Sequence, residues 1–178
     1  PATYPLQRPH HFVDTIRESC WVENAVDYID RPGAWALDTR EGRLYLWPRA
    51  GCDEPQEIEA PVLCELVRIE GHVAADQAAD EPVRGLVFAG LTFTHGDRLP
   101  LTEEAIGLQH DWAMWDYPDA LVRLRGAEDC ALIGCRFRDS GGNGVRLDRH
   151  AQRIRVQGNE LVHLGAGAVL LAGYGPGT

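Results

Sequence analysis

Gly134-Cys135-Arg136-Phe137-Arg138-Asp139-Ser140-Gly141-Gly142-Asn143-Gly144-Val145-Arg146-Leu147 holds two short β-type runs separated by a glycine-rich turn, and both runs recur along the chain. Leu121-Val122-Arg123-Leu124, Gly144-Val145-Arg146-Leu147 and Ala168-Val169-Leu170-Leu171 superimpose at steps of 23 and 24 residues, with Leu66-Val67-Arg68-Ile69 as an earlier copy. Gly90-Leu91-Thr92-Phe93, Gly134-Cys135-Arg136-Phe137 and Gly158-Asn159-Glu160-Leu161 form a second series, separated by 44 and 24 residues, so the long first step marks an insertion. A period this short leaves no room for a strand-plus-helix repeat, and the LxxLxLxxN frame of leucine-rich repeats is absent. Three short strands and three turns per repeat fit it. The fold expected is therefore all-β, a right-handed parallel β-helix or solenoid, truncated, in which equivalent residues of successive turns stack at about 4.8 Å. Phe93, Phe137 and Leu161 should form an inward apolar ladder, and Arg136 and Glu160 should pair on its outer face.

Working outward from the repeats, residues 1–48 read as an appendage of a helix and a β-hairpin, 49–61 as an acidic linker, and 62–178 as the β-helix, with an inserted loop at about 96–120. Val22, Ala25, Val26 and Ile29 follow helical spacing, and Arg31-Pro32-Gly33 ends the segment. Trp35 and Leu37 alternate on one strand, Thr39-Arg40-Glu41-Gly42 turns the chain, and Leu44 and Leu46 alternate on the return. Gly141, Gly142, Gly144, Gly165 and Gly167 are expected to supply positive φ at tight turns.

The 178 residues carry 27 acidic against 17 basic side chains, a formal charge of −10, which disfavours nucleic acid and anionic lipid as partners. No apolar run of about 18 residues is present, so no membrane span is expected. The five cysteines include no CxxC, and the reading is of buried or idle thiols with neither metal nor disulfide framework. GxxxxGK[ST], HExxH and GxSxG are also absent. No cofactor is expected.

Several stretches together resemble a bacterial family of right-handed parallel β-helix repeat proteins. They are Val22-Glu23-Asn24-Ala25 through Pro32-Gly33-Ala34-Trp35, Gly42-Arg43-Leu44-Tyr45-Leu46-Trp47-Pro48, Gly90-Leu91-Thr92-Phe93, Leu108-Gln109-His110-Asp111-Trp112, Ser140-Gly141-Gly142-Asn143-Gly144 and Leu171-Ala172-Gly173-Tyr174-Gly175-Pro176-Gly177-Thr178. That family is similar to carbohydrate-active β-helix proteins, including glycoside hydrolases of the fucosidase and xylanase type. The resemblance implies the N-terminal part of a longer polysaccharide-acting protein, secreted or periplasmic, with further turns of the helix beyond this chain. It also implies a polysaccharide or oligosaccharide as partner. An open solenoid end predicts self-association.

The repeat alignment places three polar residues in one column. Five residues beyond Gly90, Gly134 and Gly158 lie His95, Asp139 and His163, where strand gives way to turn. A carboxylate beside an imidazole orients the ring for general acid/base work, which makes these the candidate catalytic residues; polar turn residues that merely meet solvent are the plainer alternative. The insertion carries His110, Asp111, Trp112, Trp115 and Asp116, candidates for substrate binding, because aromatic faces stack on sugar rings and carboxylates bind hydroxyls. Trp112 and Trp115 could equally anchor the loop. Arg123, Arg136, Arg138 and Arg146 read as stacking on a solvated outer face. The rival functions are a non-catalytic glycan-binding or structural β-helix and a polysaccharide lyase.

Overall fold

The computed structural model describes residues 24–51, 57–74, 80–98 and 119–173. The chain divides into two compact units, residues 1–58 and 59–178, and the division falls inside the stretch read as a linker. Among the described residues no helix is long and apolar enough to cross a membrane.

In the first unit β1 (Trp35–Asp38) and β2 (Arg43–Leu46) form the antiparallel hairpin, with Leu37 opposite Leu44. Asp38 accepts from the Arg40 and Glu41 N–H groups at 2.9 and 3.2 Å, so its side chain braces the turn. Two expectations need correction. Ala36 is the buried residue of β1, while Trp35 and Leu37 are 60% and 42% exposed. The helix expected around Val22–Ile29 reduces, over the described part, to one 3-10 turn at Val26–Tyr28. It buries none of its residues and has no side-chain cap, and helical spacing without a face to bury does not sustain an α-helix.

The second unit is all-β, with parallel sheets. It contains β3 (Val67–Glu70), β4 (Val83–Arg84), β5 (Val87–Ala89), β6 (Thr92–Gly96), β7 (Ala120–Glu128), β8 (Ala131–Ile133) and β9 (Arg136–Ser140). β10 (Asn143–Gln152), β11 (Arg155–Gln157), β12 (Glu160–Leu164) and β13 (Val169–Ala172) follow. The long sheet is ordered β13-β10-β7-β3, with β4 also on β7, and two smaller sheets are ordered β11-β8-β5 and β12-β9-β6. From β5 onward the chain visits the three sheets in a fixed rotation. Each return lands in the repeat register: Val67 and Val145 both lie opposite Val122, and Val169 opposite Val145. Phe93 and Leu161 both lie opposite Phe137.

The core lies between the sheets and is built from equivalent positions of successive passes. Leu121, Val122, Leu124, Leu132, Phe137 and Val145 are fully buried. The Phe93 and Phe137 rings stack with centroids 5.0 Å apart and planes 18° from parallel. Arg136 and Glu160 pair at 3.3 Å on the outer face, where such a contact contributes only about 0–1 kcal/mol. Asn159 crosses between passes: its Oδ1 accepts from the Cys135 N–H at 2.7 Å and its Nδ2 donates to the Leu132 carbonyl at 2.9 Å.

The glycines divide into two kinds, which corrects the expectation for the Gly141–Gly167 set. Positive φ belongs to the corner glycines, such as Gly90, Gly134 and Gly158 at 66°, 59° and 65°. Gly142 and Gly165 instead permit backbone contact between passes. A Cβ on either would sit 2.4 Å from a carbonyl oxygen, of Asp119 and Gly141 respectively.

Candidate functional site

The alignment column exists in space. Thr94 and Val162 both lie opposite Arg138, and Gly96 and Leu164 both lie opposite Ser140, so His95, Asp139 and His163 occupy one position of three adjacent strands. All three have left-handed backbone, with φ of 58°, 52° and 51°. Each marks a bend inside its strand. Asp and His are among the few side chains enriched in that region, so the backbone supplies one reason for these residue types.

Asp139 Oδ1 lies 3.2 Å from His163 Nδ1, while its Oδ2 accepts from Arg138 Nε at 2.5 Å. The Arg138 guanidinium, and after it the His163 ring, hold the Asp139 carboxyl below its ordinary value. His95 turns elsewhere: its Nε2 lies 2.9 Å from Glu59 Oε2 and its Nδ1 lies 3.1 Å from Thr94 Oγ1. Glu59 is a member of this strip that the repeat alignment missed, because it precedes the first repeat. The His163 side chain is 78% exposed and that of Asp139 30%, so the strip meets solvent. The remaining candidates, His110, Asp111, Trp112, Trp115 and Asp116, lie outside the described residues.

A second constellation runs along the face of the long sheet opposite the aliphatic core, and it corrects the reading of two arginines. Arg136 and Arg138 are solvated as expected, whereas the Arg123 and Arg146 side chains are 3% and 2% exposed. Arg123 Nε donates to Asp148 Oδ2 at 2.5 Å, and Arg146 Nε donates to Asp148 Oδ1 at 2.6 Å. Arg146 Nη1 also reaches Asp119 Oδ1 at 2.9 Å, and Asn143 Nδ2 donates to Asp119 Oδ2 at the same distance. Buried guanidinium groups need such partners, since an uncompensated buried charge costs several kcal/mol. Glu65 Oε1 accepts from Arg68 Nε at 2.5 Å, while its buried Oε2 has no hydrogen-bond partner among the described residues and lies 4.0 Å from Arg123 Nη1. That oxygen is an acceptor which a hydroxyl donor would satisfy.

The same sheet bends at a β-bulge. Between Asp148 and Ala151 the register on β7 shifts, and His150 takes φ of 48° there. His150 Nε2 lies 2.7 Å from Glu128 Oε1, and Arg84 Nε and Arg153 Nη2 donate to Glu128 Oε2 at 2.9 and 2.8 Å. The His150 ring, then Arg84, pull the Glu128 carboxyl down to about 2. The sequence hinted at this site only through the closeness of Asp148 and His150.

Cys130 and Cys135 are buried free thiols, and burial, with Asp97, Asp119 and Glu65 after it, pushes the Cys64 thiol up, away from nucleophilic use. Among the described residues no group of three or more His, Cys, Asp or Glu side chains could hold a metal ion. No family model, no curated protein and no solved structure matches this chain.

Proposed function

We propose that this chain belongs to a right-handed parallel β-helix that acts on polysaccharide as a glycoside hydrolase, with the strip Glu59, His95, Asp139 and His163 on its glycan-facing edge. The rotation through three parallel sheets in 23-to-24-residue register supports the β-helix reading. The observation that carries the functional reading is the hydrogen bond between Asp139 and the exposed His163 ring. With Nδ1 held by the carboxylate, Nε2 is the ring's remaining polar atom, suited to a sugar hydroxyl or to proton transfer. Glu59, paired to His95, adds a second carboxylate to the strip, and a hydrolase requires two.

The test is a panel of defined plant glycans with two readouts, reducing ends released and binding by calorimetry. Release of reducing ends that falls at least tenfold in Asp139→Asn and His163→Ala supports hydrolysis at this strip. Binding without release, lost in the same variants, replaces the hydrolase with a recognition module. Unsaturated products detected by ultraviolet absorbance would indicate a lyase. Unchanged behaviour of both variants would remove the strip from the site.

A further inference from the structure

Residues 72–82 are an excursion from the long sheet. Glu70 lies opposite Arg125, and the register resumes with Val83 opposite Ala127. An antiparallel bridge closes the base of the excursion: the His72 N–H donates to the Glu81 carbonyl at 3.0 Å and the Glu81 N–H returns to His72 at 2.9 Å. Asp80 Oδ1 accepts from the Ala74 N–H at 2.7 Å. The other carboxylate oxygen, Oδ2, lies 2.8 Å from His150 Nδ1.

His150 thus stands between two carboxylates, with Glu128 at Nε2 and Asp80 at Nδ1. Its side chain is 13% exposed and that of Asp80 is fully buried, so little water reaches either contact. An ionised carboxylate only accepts. A neutral imidazole has one N–H to give, and an imidazolium has two. We propose that protonation of His150 fastens the His72–Glu81 bridge to the long sheet, as a proton-sensitive clamp formed by Asp80, His150 and Glu128.

Glu128 and Asp80 touch the ring, and every element beside it carries further charged or titratable groups. β10 and the turn after it bring Asp148, Arg149 and Arg153, β7 brings Arg125 and Glu128, and the next corner brings Asp129. β4 brings Arg84, and the excursion brings His72, Asp80 and Glu81. Arg84 and Arg153 both bind Glu128, whose carboxyl is pulled down to about 2, so it is a carboxylate at any higher pH. When the ring carries only one proton and both carboxylates are ionised, one nitrogen lone pair faces a carboxylate lone pair and a buried hydrogen bond is lost. The fastening is complete with the ring doubly protonated and is released as pH rises through the ring's titration.

The test uses the intact chain and two NMR measurements, the ring nitrogen shifts of His150 and the hydrogen-exchange protection factors of His72, Ala74 and Glu81. Expected are two protonated ring nitrogens at acid pH and protection factors that fall about tenfold or more in step with the ring's own nitrogen shifts, while Val122 stays constant. His150→Gln should make the three protection factors independent of pH, and Asp80→Asn should lower them at acid pH and flatten them. A ring with one protonated nitrogen throughout, or a pH dependence that survives in either variant, overturns the proposal. Should a variant fail to fold, the ring shifts of the unmodified protein decide it.

Discussion

Arg146 and Arg123 occupy directly paired positions of β10 and β7, and both guanidinium groups close on the one carboxylate of Asp148. Removing that carboxylate deprives two buried cations of a shared partner. Asp148→Ala should therefore destabilise the protein by about 3–5 kcal/mol, the cost of breaking a buried ion pair on one side. Glu160→Ala, which breaks only the exposed pair with Arg136, should cost less than about 1 kcal/mol. Urea denaturation of both variants checks the contrast.

Acid stability should depend on Glu128. Its carboxyl is held at about 2 in the folded protein against an ordinary 4.5, so the unfolded chain takes up the proton first. The stabilisation is complete above the ordinary value and is lost as pH falls through the folded one. Glu128→Gln should flatten that part of the acid limb in a plot of unfolding free energy against pH. An unchanged slope between those two values would show that the ring and the arginines do not act on this group.

Asp139 allows backbone and chemistry to be separated. A β-branched residue in its left-handed position is strained, whereas glycine is not. Asp139→Val should lose about 1–2 kcal/mol relative to Asp139→Gly by thermal or urea unfolding. If the carboxylate serves the proposed glycan site, Asp139→Gly should retain its fold and lose binding all the same.

The aromatic stack sets a core prediction. Phe137 is fully buried against Phe93, so Phe137→Ala should cost about 3–5 kcal/mol, and Phe137→Leu distinctly less because more of the volume is kept.

On β13, Leu171 is 74% and Val169 39% exposed, and among the described residues the strand pairs only with β10. Exposed apolar side chains on a strand are a template for another chain wherever the strand's edge is uncovered. Sedimentation velocity should show concentration-dependent association, and Leu171→Lys should suppress it.

The parts of the fold that were legible are those in which one repeat position constrains the next. The aromatic ladder, the Arg136–Glu160 pair and the column of Asp139 could be read from spacing, because stacked passes must share a register. The burial of Arg123 and Arg146 could not. Strand alternation assigns them to the outward face, and whether that face is covered depends on other segments. Val22 to Ile29 carry helical spacing, yet Val26–Tyr28 bury none of their side chains, which spacing alone does not reveal. Gly142 and Gly165 look like turn formers, yet what requires them is a neighbouring carbonyl contributed by the previous pass. Asp80 reaches His150 from an excursion with no repeat position of its own, so no alignment could have placed it.

Glu70 and Val83 lie opposite Arg125 and Ala127, only two places apart along β7, although twelve residues separate them in sequence. The His72–Glu81 bridge closes the departure from the sheet at its base, so chain length beyond that bridge is decoupled from the register downstream. Foreign peptides of differing length should be accepted between Ala74 and Asp80, beyond that bridge, which makes the corner a grafting port for display or affinity tags. The same insertion inside β6 would instead interrupt the ladder of Phe93, Phe137 and Leu161.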